Sequence, residues 1–161
     1  MGAQSLNRYL LAAAIALAGL PAHADFTGKV IGVADGDTIT VLRDHEQVKI
    51  RLIEIDAPEK AQAFGNKSKQ SLSDLCFDKT ATLADKGKDR YGRTLARVHC
   101  DGIDANAEQV RQGMAWVYRK YAPKDSPLYA VEGEAKAARR GLWADPEPVP
   151  PWEWRRLKIE N

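Results

Sequence analysis

Four acids and one arginine within residues 33–59 have the types and spacing to do chemistry. The segment reads VADGDTITVLRDHEQVKIRLIEIDAPE, with Asp35 and Asp37 at one end, Asp56 and Glu59 at the other, and Arg51 inside an otherwise apolar run. Carboxylates and backbone carbonyls are hard oxygen donors that suit Ca²⁺ or Mg²⁺. Without a cation, clustered acids repel one another and their pKa values rise. Acids at this spacing therefore either stay apart as a solvated surface or converge on a metal, and Asp-Gly-Asp, common in turns, does not decide between the two. Arg51, between Ile50 and Leu52, is costly to bury unpaired. It is either a structural ion-pair partner or a fork offered to a phosphate.

Geometry decides whether these groups meet. On a straight strand Arg51 and Asp56 lie on opposite faces, about 16 Å apart at ~3.3 Å per residue. One site requires a bend between Leu52 and Asp56, and a straight strand reaching Pro58 excludes it. A second basic group, Asp89-Arg90-Tyr91-Gly92-Arg93, falls on a predicted loop that could carry an arginine to the far side of a phosphate. Alone it reads as a charged turn.

The elements that must position these residues follow from periodicity. Alternating apolar residues predict a first strand up to Val33, interrupted by a bulge or tight bend at Asp35-Gly36-Asp37. The β-branched run TITVL predicts a second strand over 38–42, and VKIRLIEI a third over 48–55, with 43–47 as the hairpin loop. Ala57-Pro58 ends the third. A helix is expected after Asn66, a plausible cap. Strands follow at 80–86 and 94–100, then a helix over 105–112 closed by Gly113. Ser126-Pro127 starts a further helix running to Arg140. The stretch from Asp145 to Asn161 holds four prolines and is expected to be irregular or extended. In it, Trp152 and Trp154 beside Arg155 and Arg156 are expected to pack back on the barrel, the alternative being to stack on bases. The fold class is mainly β with α, a five-stranded Greek-key barrel of the OB type with three helices.

Composition bounds the rest. The 161 residues, 44% hydrophobic and 29% charged, suit one globular domain. Residues 1–24 carry Arg8, an apolar run over 10–20 and Ala22-His23-Ala24, the pattern of a secretory signal peptide cleaved at Ala24–Asp25. The apolar run is short of the roughly 20 residues that span a bilayer, so no stable membrane association is expected after cleavage. The expected divisions are 1–24 as signal peptide, 25–145 as the barrel domain, and 146–161 as a Pro/Trp-rich tail. The net charge of +2 leaves attraction to a polyanion to local clusters. Cys76 and Cys100 in an exported chain are expected to form a disulfide, the alternative being two buried free thiols. With only His45 and His99 beyond the leader, zinc, which needs about four ligands, is not expected.

Together VADGDTITV, RLIEIDAPE, DRYGR and VRQGMAWVY, in this order, strongly resemble the thermonuclease family, the staphylococcal-nuclease-like proteins, over roughly residues 27–143. The resemblance implies an OB-fold barrel that hydrolyses phosphodiester bonds in DNA and RNA with Ca²⁺ and little sequence preference, leaving 3′-phosphate ends. It implies Asp37 and Asp56 as metal ligands, Ala57 as a carbonyl ligand and Asp35 as an acid farther from the ion. Glu59 corresponds to the acid assigned as general base, and Arg51 and Arg93 to the arginines that stabilise the phosphoryl transition state. Tyr91 and Tyr121, with Tyr118 as an alternative, resemble nucleotide-contacting tyrosines. Ala57 stands where threonine is common, and residues 60–64 are short beside a relative's basic loop. The expected enzyme is a secreted or periplasmic monomeric endonuclease. The rival reading is a barrel that binds nucleic acid without cleaving it, which predicts loss of at least one of Asp37, Arg51, Asp56, Glu59 and Arg93; all five are present.

Overall fold

Alternation of apolar and polar residues produces five long strands. The computed structural model describes residues 25–160, so the expected signal peptide lies outside the described residues. The order is β1 (Phe26–Asp35), β2 (Thr38–Arg43), β3 (Glu46–Leu52), β4 (Ile55–Asp56), α1 (Gly65–Cys76), β5 (Thr80–Lys88), β6 (Thr94–Cys100), β7 (Ile103–Asp104), α2 (Ala105–Arg111), β8 (Trp116–Val117), α3 (Leu128–Ala137), a 3₁₀ turn at Gly141–Ala144, and α4 (Pro151–Ile159).

The sheet runs β3-β2-β1-β5-β6, and a parallel pairing of β3 with β6 closes it into a barrel. β1 serves two partners. Its start pairs with β5 and its remainder with β2, with register shifts near Gly32 and before Asp35 that let one strand curve through both sides. The β2–β3 hairpin turns tightly at Asp44–His45, with Arg43 opposite Glu46 and Thr38 opposite Arg51. Val30, Ile39, Val41, Ile50, Leu52, Leu83, Ala96 and Val98 fill the barrel, and Leu72 of α1 and Val110 of α2 cover its end. This is the OB-type barrel the sequence implied, with four helices among the described residues where three were expected.

The fourth helix corrects the tail. Residues expected to be irregular form α4, because Pro150 is extended and Pro151 occupies the first helical turn, where the missing N–H costs nothing. The α1 entry also differs. Phe64, not Asn66, takes the cap position, in the left-handed region at φ 66° and without a side-chain cap. Cys76 at the end of α1 and Cys100 at the end of β6 form a disulfide. Among the described residues no helix is long and apolar enough to cross a membrane.

Candidate active site

The chain bends immediately after β3. Glu54 adopts φ 64°, and β4 then pairs antiparallel with β8, Ile55 opposite Val117 and Asp56 opposite Trp116. Neither Ile53 nor Glu54 is a turn-forming residue type. The bend is held from outside, because each backbone carbonyl from Leu52 to Ile55 has a partner. Arg51 Nη1 donates to Leu52 O and, at 3.0 Å, to Ile55 O. Asn106 Nδ2 donates to Ile53 O at 2.8 Å, and Tyr118 N–H to Glu54 O at 2.7 Å. The Glu54 side chain accepts from Ser126 Oγ at 2.6 Å. The buried Glu132 carboxylate accepts from Val117 N–H at 2.9 Å and fixes β8 from behind.

Through that bend Arg51 and Asp56 face each other. Arg51 Nη2 lies 3.1 Å from Asp56 Oδ1 and 3.1 Å from Asp37 Oδ2. Asp37 is buried, accepts from Ala57 N–H at 2.7 Å and bonds the Thr38 hydroxyl at 3.1 Å. Asp35 accepts from Asp37 N–H at 3.1 Å, which places it behind Asp37. The turn between them is wedged against α1. A Cβ on Gly36 would meet Ser68 Oγ at 1.8 Å and Ala57 Cβ at 2.8 Å. Gln109 of α2 donates to Gly36 O at 2.7 Å. Burial pushes the Asp37 carboxyl up to about 7; Arg51 opposes the shift, Asp35 and Asp56 add to it, and the Ala57 N–H opposes it.

Glu59 lies one turn beyond, with its N–H on Gln62 Oε1 at 3.1 Å. Its carboxylate is bound by an arginine the sequence did not single out for the site. Arg155 of α4 places Nη1 2.7 Å from Glu59 Oε1, and Nη2 2.7 Å from Asp56 Oδ2. Burial works against the Arg155 charge, but its hydrogen bonds to Asp56 and Glu59 outweigh that and raise its pKa above the usual arginine value. Among the described residues no three acids, cysteines or histidines stand close enough together to hold an ion as placed; arginines stand between Asp37 and Asp56 and between Asp56 and Glu59.

Arg93 sits one strand over. Arg51 pairs with Leu95 of β6, and Arg93 precedes Leu95 by two residues, roughly 7 Å of strand. Its guanidinium is paired within its own loop, Nε 2.7 Å and Nη2 2.7 Å from Asp89 Oδ2. Burial would raise the Asp89 carboxyl, but hydrogen bonds from the Arg93 side chain and from the N–H groups of Arg93 and Tyr91 hold it below the usual range. Tyr91, 68% exposed, lies under Arg90 and Arg93. Tyr91 and Arg93 line a groove of about 510 Å³ with Arg43, Lys49 and Lys88. Tyr121 is exposed. Tyr118 is covered instead, stacked on Trp152 at 5.3 Å and 3°. Trp152 also meets Trp116 edge-on at 5.7 Å. Trp152 thus packs back on the β8 segment beside the barrel.

Sequence reasoning reached Asp35, Asp37, Arg51, Asp56, Ala57 and Glu59 and did not reach Gln62, Asn106, Gln109 or the site position of Arg155. Asn106 and Gln109 carried one signal. They share the face of α2 that buries Val110, where polar residues must find partners.

A family model described as Staphylococcal nuclease homologue matches residues 49–145. The chain is 43% identical to a micrococcal nuclease of Shigella flexneri, with 92% of this chain and 91% of that protein covered. It is 52% identical to an endonuclease of Haemophilus influenzae, covering 84% and 76%, and 44% identical to Protein ParB of Escherichia coli, covering 91% of each.

Proposed function

The chain belongs to the staphylococcal nuclease homologue family, and from that membership we propose that it hydrolyses phosphodiester bonds in DNA and RNA, with calcium and little sequence preference, at the groups gathered around the bend after β3. The chain is a nuclease, as its relatives are. The observation that carries the placement of the site is the convergence of Asp37 and Asp56 on one nitrogen of Arg51, each at 3.1 Å.

The donor set fits a hard cation. It offers only oxygen, and Asp37 is a buried carboxyl whose pKa burial raises in spite of Arg51 beside it. Asp37 and Asp56 would hold the ion with the Ala57 carbonyl, and Asp35 would support Asp37. When bound, calcium supplies polarisation of a phosphoryl oxygen and orientation of a water. Glu59, partly exposed at the rim, holds the attacking water by hydrogen bond and takes its proton at a carboxylate oxygen. Arg51 Nη1 is fixed by two carbonyls, and Nη2, which bridges Asp37 and Asp56 in the ion-free site, turns to the charge developing on the phosphoryl oxygens once the ion takes those carboxylates. Arg93 reaches the phosphate from the neighbouring strand, with Asp89 holding its guanidinium ready. Tyr91 and Tyr121 offer exposed rings to the nucleotide, and Tyr118 backs Tyr121 edge-on at 5.0 Å. Cleavage leaves 3′-phosphate ends.

The protein acts as a secreted or periplasmic monomer after removal of residues 1–24, without stable membrane association; the Cys76–Cys100 disulfide supports an oxidising compartment. The test is incubation with single-stranded DNA and with RNA, in calcium or in chelator, followed by end analysis of the products. Cleavage confined to calcium, with phosphatase-sensitive 3′ ends, is the expected result. Undiminished cleavage in chelator would overturn the calcium reading.

A further inference from the structure

One guanidinium in the site carries no step of the proposed hydrolysis. Arg155 grips Asp56 through both of its oxygens, Nη2 to Oδ2 at 2.7 Å and Nη1 to Oδ1 at 3.3 Å, while Nη1 also holds Glu59 at 2.7 Å. It therefore occupies both the carboxylate that would bind an ion and the one that would hold the water. Asp56 Oδ1 is shared with Arg51, so neither oxygen of this buried carboxylate is without a guanidinium donor. A dication approaching Asp56 needs those lone pairs and is repelled by a positive charge already in contact with them.

The helix that carries Arg155 has its own attachments. Trp152 stacks on Tyr118 and abuts Trp116, and Pro151 is buried. Gln62 donates to Val149 O at 2.6 Å while its Oε1 receives the Glu59 N–H. The first turn of α4 is thus anchored without the arginine, whose side chain is 41% exposed and ends a flexible arm. The side chain can leave the carboxylates while the helix stays.

We propose that Arg155 is an internal counter-cation that competes with the divalent ion for Asp56 and Glu59, and so sets the ion concentration at which the site loads. The proposal rests on the calcium reading of the same site. In the ion-free protein Arg155 neutralises the two acids and holds them in place; on loading it is displaced to the rim.

The test is calorimetric titration of calcium chloride into the full protein, without nucleic acid, for the wild type, Arg155→Gln and Arg155→Lys. Arg155→Gln is expected to bind calcium roughly tenfold more tightly. Arg155→Lys, which keeps the charge and loses the fork, is expected to fall between. Melting temperatures give a second readout: without calcium Arg155→Gln melts below the wild type, and added calcium raises its melting temperature more than it raises that of the wild type. Equal or weaker binding by Arg155→Gln would overturn the competition and leave the calcium reading standing. Absence of calcium binding in all three proteins would overturn both.

Discussion

Arg51 carries two structural duties around the bend, as the ion-pair reading of its sequence context expects. Nη1 closes the bend by bonding Leu52 O and Ile55 O, and Nη2 joins Asp37 to Asp56. Arg51→Lys keeps the charge but cannot reproduce this fork. It is expected to cost about 2–3 kcal/mol in urea unfolding as well as activity, since breaking a buried pair leaves acids unpaired. Arg93 is different, because its partners lie on one surface loop. Arg93→Ala is expected to leave the melting temperature near the wild type while lowering the cleavage rate by about 10²–10³-fold, the scale of one lost oxyanion donor. Asp37 separates function from stability in the other direction. Its carboxyl is held near 7 by burial, and Asn can still accept from Ala57 N–H. Asp37→Asn is expected to abolish cleavage while the ion-free melting temperature holds or rises.

At the scale of elements the site depends on two close contacts and one bend. The Asp35–Asp37 turn approaches α1 so closely that a methyl group at Gly36 would overlap Ser68 and Ala57. Gly36→Ala is expected to destabilise by about 1–3 kcal/mol in urea unfolding, the range for overpacking, and to impair cleavage by shifting Asp37. The five strands and the need for a bend were legible in the sequence, because strand periodicity and the spacing of Arg51 and Asp56 are local properties. The cause of the bend was not. Ile53 and Glu54 carry no turn signal, and the positive φ at Glu54 is imposed by Asn106, Tyr118 and Ser126, residues 53 to 72 positions away for the two side-chain bonds. α4 departs from the expected irregular tail for a related reason. Four prolines suggested an irregular tail, but two of them only set the helix entry, and what keeps the helix in place is the stack of Trp152 on Tyr118, a tertiary contact.

At the scale of the whole molecule the disulfide and the site share a framework. Cys76–Cys100 closes a separation of 24 residues and ties α1, which backs the Asp37 turn, to β6, which adjoins Arg51. Cross-linking a loop of that length contributes about 3–4 kcal/mol in the chain-entropy model. Reduction is expected to lower the urea midpoint accordingly, measured with and without reductant. Acids and arginines from the β1–β2 turn, β3, β4, the segment after it and α4 meet in one ion-paired cluster, so the barrel is the frame that assembles it. The most direct measurement is the initial rate at which Glu59→Gln cleaves single-stranded DNA in calcium, with its melting temperature taken on the same preparation. A fall of about 10²-fold or more at an unchanged melting temperature is the expected result; wild-type cleavage by a folded Glu59→Gln protein would contradict it.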